Sequence, residues 1–299
     1  MLKKEEHLIC VHITFDYNNK RLKILKKVCS DLLKISNKVY IFIHTNFISR
    51  KKKILKSKKI KILYHSLKNQ NPYFLSWRCR ALMYKQKELF DVFIYMEDDI
   101  NFKKKNFLYW LKNKNICIKE SFNLGFLRVE KLGKNLLCSD QIKNVTHHTF
   151  INEKKFFILN NPYCGFWIYD RNEFLNFTKT KYWSFRWLYK TVSNVHLIRE
   201  QSALGWNHEI MRRYKKTIVP SVRNVLDTSC YVPHLTNNYA KNPAGLFGVF
   251  KINELVNKKT FVYKYSLIYF LMENFKNYIY RLIRFNLKNF KKKIFKNFE

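Results

Sequence analysis

The stretch "FDVFIYMEDDINF", residues 90–102, decides how this chain is read. Five apolar or aromatic residues, Val92 to Met96, run without a break into three carboxylates, Glu97, Asp98 and Asp99. The run reads as a buried strand, and the acids stand at its carboxyl end. They are concentrated there in a chain short of acid: across 299 residues, 58 Lys plus Arg face 21 Asp plus Glu, a net charge of +37.

Upstream, "HLICVHITF" (7–15) is β-branched and aromatic and ends at the turn-forming "DYNN", so it reads as a first buried strand. "KRLKILKKVCSDLLKI" follows with Leu22, Ile24, Leu25, Val28, Leu32 and Leu33 near helical spacing. "KVYIFIHTN" (38–46) and "KIKILYHSL" (59–67) read as further strands, and "FLSWRCRALMYKQKELF" (74–90) as a helix leading into the acidic strand. Strands alternating with helices predict parallel crossovers and an α/β fold with a mostly parallel, doubly wound sheet. Downstream, "FNLGFLRVE" (122–130) reads as a strand, "KFFILNNPYCGFWIYDRNEFLNF" (155–177) as strand, turn, strand and helix, and "IREQSALGWNHEI" (198–210) as a helix. Near residue 250 the composition changes to interleaved aromatics, Lys and Arg without Gly or Pro. The expected organisation is one domain over 1–250 and a basic, aromatic helical tail over 251–299.

A hydrophobic fraction of 47%, with 26 Phe, 19 Tyr and 6 Trp, excludes a disordered chain. The positive charge suits an anionic partner: nucleic acid, an acidic membrane surface or a phosphorylated small molecule. Heavy use of Lys, Asn, Ile and Phe is also what a biased genome produces, and Lys exceeds Arg, whereas base-reading sites favour Arg. Nucleic acid is therefore not the expected partner. The seven cysteines form no CxxC pair and are odd in number, which fits a reducing compartment. The apolar run before Asp16 is too short for a signal peptide or a spanning helix, so the domain is expected to face the cytoplasm.

In an open parallel sheet, ligands gather outside the carboxyl ends of the strands. On an extended backbone Glu97 and Asp99 point one way and Asp98 the other. Two carboxylates would then face a hard divalent cation, Mn²⁺ or Mg²⁺, whose shell substrate phosphates complete.

A strand, a helix bearing "SWRCR" and then "DVFIYMEDDI" resembles the nucleotide-sugar glycosyltransferases of the GT-A fold, over residues 7–240. That resemblance implies an acidic DxD or EDD motif holding the metal and the donor diphosphate. Asp99 and Glu97 are the metal candidates, with Glu97 and Asp98 also facing the nucleotide. It implies a small-residue loop at the sugar, matched by Gly165 in "NPYCGFWIYD". It implies an acid at a helix start, matched by Glu200, 101 positions after Asp99, as the base. It also implies a late histidine on the metal, matched by His234 in "YVPHLTNNYA", a segment that reads as an exposed loop. Arg80, in preference to Arg78, is expected at the diphosphate, and Thr14 on the donor side.

The implied partners are a nucleotide-sugar donor and a glycan or lipid-linked saccharide acceptor. "YWSFRW" (182–187) offers faces for sugar stacking, and the tail suits an anionic membrane surface. Glu200 acting opposite the leaving group would invert the anomeric configuration, while retention would need a different arrangement. Two rivals use the same features: a metal-dependent nuclease, against which no ExK-type acidic motif stands on a suitable strand, and a noncatalytic membrane-associated binding protein.

Overall fold

The computed structural model describes residues 7–47, 57–67, 72–140, 145, 147–161, 165–184, 197–242 and 250–256. The tail beyond residue 256 and residues 185–187 of the Trp-rich stretch lie outside them. The chain begins with β1 (Ile9–Phe15), α1 (Asn19–Leu33), β2 (Val39–Thr45), β3 (Ile60–Tyr64), α2 (Leu75–Lys85), β4 (Val92–Glu97) and α3 (Lys104–Lys119). It continues through β5 (Asn123–Leu124), β6 (Leu127–Leu132), β7 (Asn135–Cys138), β8 (His148–Ile151), β9 (Lys154–Leu159), β10 (Phe166–Asp170), α4 (Arg171–Thr178) and α5 (Leu197–Arg213). Last come β11 (Thr217–Val222), β12 (Val225–Leu226), β13 (Tyr231–Pro233), α6 (Asn238–Lys241) and β14 (Phe250–Lys251).

The main sheet has the order β10-β4-β1-β2-β3, with β1 to β4 mutually parallel and β10 antiparallel on β4. This is the expected mostly parallel α/β sheet. The run Val92–Met96 is apolar throughout because β4 is covered on both faces. Val92, Ile94 and Met96 join the core that α1 enters with Leu25, Val28 and Leu32. Phe93 and Tyr95 join the opposite core, with Cys79 and Met83 of α2. Each such side chain, fully buried, contributes roughly 1.5–3 kcal/mol. The chain steps from β1 outward to β2 and β3, and α2 then returns it so that β4 lies on the other side of β1. The strand order therefore reverses between β1 and β4, where a crevice opens outside the carboxyl ends.

Two smaller sheets, which the sequence patterns did not predict, have the orders β12-β11-β9-β8 and β13-β6-β7-β14. The second one matters for the acids. Strand β13 lies parallel to β6, and the main chain of Asn101 bonds Pro233 O at 2.8 Å while Leu235 N bonds Asp99 O at 2.9 Å. The chain after β4 is thus tied to residues 233–235. This corrects the reading of "YVPHLTNNYA" as an exposed loop: His234 is only 5% exposed.

A line of imidazoles crosses the parallel strands. Gln86 Oε1 lies 2.9 Å from His12 Nε2, His12 Nδ1 lies 2.8 Å from His44 Nε2, and His44 Nδ1 lies 2.8 Å from His65 Nε2. A neutral imidazole offers one donor and one acceptor, so the line is satisfied without charge. Burial holds His12 at about 3 and, together with the neighbouring histidines, His44 at about 2. Both values lie below the unfolded 6.5, so the unfolded chain takes up the extra protons as pH falls. Stability is full above pH 6.5 and is lost below it. Between pH 7 and pH 5 the two groups should cost about 4 kcal/mol, read from urea midpoints. His12→Asn, though less stable at pH 7, should lose about half of that pH dependence; an unchanged slope would contradict the neutral buried line.

Candidate active site

The strand ends at Glu97, and Ile100 N turns back to Glu97 O at 3.3 Å. Asp98 and Asp99 therefore stand on a turn, which corrects the alternation expected of an extended backbone. Instead of facing opposite ways, both meet Arg21. Its Nε and Nη2 donate to Asp98 at 2.8 and 2.5 Å, and Nη2 is also 2.9 Å from Asp99 Oδ2. Arg21 sits in the first turn of α1, which Asn18 caps by accepting from Lys20 N at 2.9 Å. That turn contains no acidic residue, although the positive end of the helix dipole favours acids there. The carboxylates across the crevice supply the missing negative charge.

On the other side of Asp99 lies His234. Its Nε2 is 3.0 Å from Asp99 Oδ2, its Nδ1 contacts Glu130 Oε1, and Thr236 Oγ1 donates to Asp99 Oδ2 at 3.2 Å. Glu130 is itself fixed, accepting from Ala240 N at 2.5 Å. Burial works against charge on His234, but the hydrogen bonds to Asp99 and Glu130 outweigh it and lift the imidazole to about 9. Burial likewise opposes ionisation of Asp99, yet His234 and Arg21 hold it near 2. Asp98 is pushed up by burial, against the pull of Arg21 and with the help of Asp99's charge. The result is a buried carboxylate between two cations.

A cleft at the switch point is lined by Thr14, Asp16, Arg21, Tyr95, Glu97 and Asp98, together with Pro72, Tyr73, Leu75 and Ser76. Thr14 and Glu97 are register partners on adjacent strands, and Thr14 Oγ1 lies 3.4 Å from Tyr95 Oη. Gly165 accepts from Glu97 N at 3.0 Å. Its φ of +82° favours glycine, and an added Cβ would stand 2.8 Å from Ile100 Cδ1. Thr14, Glu97, Asp98, Asp99, Gly165 and His234 are thus brought together around the end of β4. Arg80 is not placed as expected. It is buried over the Trp77 ring at 4.1 Å and donates to Tyr182 O at 2.8 Å, Trp183 O at 2.5 Å and Ser202 Oγ at 3.0 Å. A helix face buried against aromatic side chains claims that arginine for packing. Glu200 lies in the first turn of α5, and its side chain is outside the described residues.

Sequence reading passed over Arg21, Glu130 and Thr236. Only Arg21 had a visible signal, a basic first turn right after the "DYNN" that ends the first strand.

Among the described residues no three His, Cys, Asp or Glu groups stand ready as a metal site. The donors nonetheless fit a cation that a substrate completes. Asp99 Oδ1 is buried without a hydrogen-bond partner. Glu130 holds one ring nitrogen of His234 and turns the other toward Asp99, which is how a carboxylate orients a metal-binding imidazole. Two protein ligands plus phosphate oxygens and water suit Mg²⁺ or Mn²⁺.

No family model and no curated protein matches the chain. Solved structures similar to it include a putative nucleotide-diphospho-sugar transferase from Desulfovibrio desulfuricans G20, at 10% identity and a TM-score of 0.33, covering 71% of this chain and 78% of that one. CMP:2-keto-3-deoxy-manno-octonic acid synthetase complexed with CTP is similar at 10% identity and 0.37, covering 68% and 86%. The bifunctional IspDF from Campylobacter jejuni is similar at 10% and 0.28, covering 58% and 43%.

The imidazole of His234 gives a direct test. Its raised value means that its contribution to stability is complete below pH 6.5 and is lost as pH rises through about 9. In an NMR titration of the ring, Glu130→Gln should move the midpoint down toward 6.5, because a neutral amide supports the imidazolium less well. An unmoved midpoint would show that Glu130 does not hold the charge.

Proposed function

We propose that this chain is a GT-A-type glycosyltransferase, moving a sugar from a nucleotide-sugar donor to a hydroxyl of a glycan or lipid-linked acceptor. The observation that carries this reading is the gathering of Asp98, Asp99 and the Glu130-held His234 beside a cleft at the β1/β4 switch point. Such a place suits a divalent cation and the phosphate-bearing ligand that would arrive with it, since buried like charges are costly without a counter-charge.

Asp99 and His234, with Glu97 or a substrate oxygen, would hold Mn²⁺ or Mg²⁺, which when bound supplies Lewis acidity at the departing nucleoside diphosphate. To ligate, His234 must give up the proton shared with Asp99, while Glu130 keeps the other ring nitrogen oriented. Glu97, half-buried at the strand end and lining the cleft, would meet the donor ribose if it does not join the metal. Gly165, packed on Ile100, would steady the end of β4 through the carbonyl that Glu97 N meets. Glu200 is the proposed base, taking the acceptor hydroxyl proton as the anomeric carbon gains oxocarbenium character, with inversion as the outcome. Asp170 and Glu209, the alternative acids for that role, are already engaged: Asp170 caps α4 and pairs with Lys114, and Glu209 is gripped by Arg212 and Arg213. Residues 1–250 would form the catalytic domain, and the basic aromatic tail over 251–299 would hold it to an anionic membrane on the cytoplasmic side. Among the described residues no helix is long and apolar enough to cross a membrane.

A thermal-shift screen of UDP, GDP, CMP and dTDP sugars, with and without Mn²⁺, tests the reading. A donor at a hundred times its Kd should stabilise the fold by about 2.7 kcal/mol, a rise in Tm of roughly 5 °C or more, and only with the cation present. Asp99→Asn should fold and lose that cation-dependent rise. No shift with any donor, or an equal shift in Asp99→Asn, would overturn the assignment.

Glu200→Gln separates chemistry from binding. It should bind donor nearly as the wild type does in calorimetry and transfer sugar roughly 10²-fold to 10⁴-fold more slowly. An unreduced rate would place the base elsewhere.

A further inference from the structure

We infer that Arg21 is a resident counter-cation that a divalent ion must displace from Asp98 and Asp99, and that the guanidinium so released becomes a ligand of the diphosphate. The inference rests on the functional reading above and adds an exchange within the same site.

Three contacts place Arg21 where an ion would compete with it. Its fork covers both oxygens of Asp98, and Nη2 also lies 2.9 Å from the Asp99 oxygen that His234 and Thr236 share. The carboxylates are fixed and almost closed off, with side chains 5% and 4% exposed, while that of Arg21 is 36% exposed. Of the three groups, the arginine is therefore the one with room to move. An ion entering at Asp99 Oδ1, the buried oxygen with no hydrogen-bond partner, would lie close to the guanidinium and repel it.

The released group would not have far to travel. Arg21 already lines the cleft with Thr14 and Glu97 and stands in the first turn of α1, whose N–H groups favour anions. A planar guanidinium matches phosphate oxygens in pairs, as it now matches Asp98. Without ligand, the fork keeps two adjacent buried carboxylates from being left uncompensated; with ligand, the same side chain meets the phosphates that arrive with the ion. A lysine would neutralise charge but would lack the fork.

The test uses the full chain with Mn²⁺ alone and with inorganic pyrophosphate plus Mg²⁺. Free Mn²⁺ is followed by electron paramagnetic resonance and pyrophosphate by calorimetry. Arg21→Ala should bind Mn²⁺ roughly tenfold more tightly than the wild type and Mg²⁺-pyrophosphate roughly tenfold more weakly. Arg21→Lys should keep Mn²⁺ affinity near the wild-type value and still bind pyrophosphate weakly. Because losing Arg21 uncovers Asp98 and can unfold the protein, the wild type supplies a second measurement. Saturating Mg²⁺ should shift the Arg21 Nε–H resonance away from its carboxylate-bonded position. Wild-type binding of Mn²⁺ with no gain in a folded Arg21→Ala, or an unmoved Nε–H resonance, overturns the exchange and leaves the functional reading standing. No Mn²⁺ binding by any of the three proteins overturns both.

Discussion

Two adjacent carboxylates, Asp98 and Asp99, are held where water scarcely reaches, each with only 3% of its surface exposed. Burying one unpaired charge is costly, and burying two of the same sign is more so. The surroundings answer that constraint in detail. Arg21 forks across the pair, His234 is charged between Asp99 and Glu130, and Thr236 donates to the oxygen that the cations already share. One oxygen, Asp99 Oδ1, is left over.

The fold brings these groups together from distant parts of the chain. Arg21 comes from the helix after β1, the carboxylates from the end of β4, Glu130 from β6 and His234 from just beyond β13. The reversal of strand order between β1 and β4 opens the crevice. Strand β13 pairs in parallel with β6, and main-chain bonds tie residues 233–235 to the turn after β4. The opposing slopes of the titrating groups follow from the same architecture. His12 and His44 are buried among neutral partners and favour the fold above pH 6.5, whereas His234 is buried between carboxylates and favours it below about 9.

Much of the main sheet was legible because its strands are short apolar runs punctuated by helices with apolar spacing, and Val92–Met96 announced an interior strand. The acids were legible because they end that strand. What could not be read was long-range. Nothing near His234 in sequence signals that β13 will pair with β6 or that Glu130, 104 positions earlier, will take its ring nitrogen. Pro233 and "LTNN" suggest solvent, and tertiary pairing overrides them. The arginine reading went astray for a related reason: sequence spacing cannot tell that Arg80 faces Trp77 and Trp183 while Arg21 faces the acids.

In the proposed reading, Asp99 and His234 would form the protein's half of a divalent-cation site that a phosphate-bearing ligand completes. Anomalous diffraction from crystals grown with Mn²⁺ and a nucleoside diphosphate tests it most directly. One strong manganese peak is expected within bonding distance of Asp99 and His234 Nε2, with His234 Nδ1 still against Glu130. A fully occupied nucleotide with no manganese at Asp99, or manganese bound only at other sites, would contradict it.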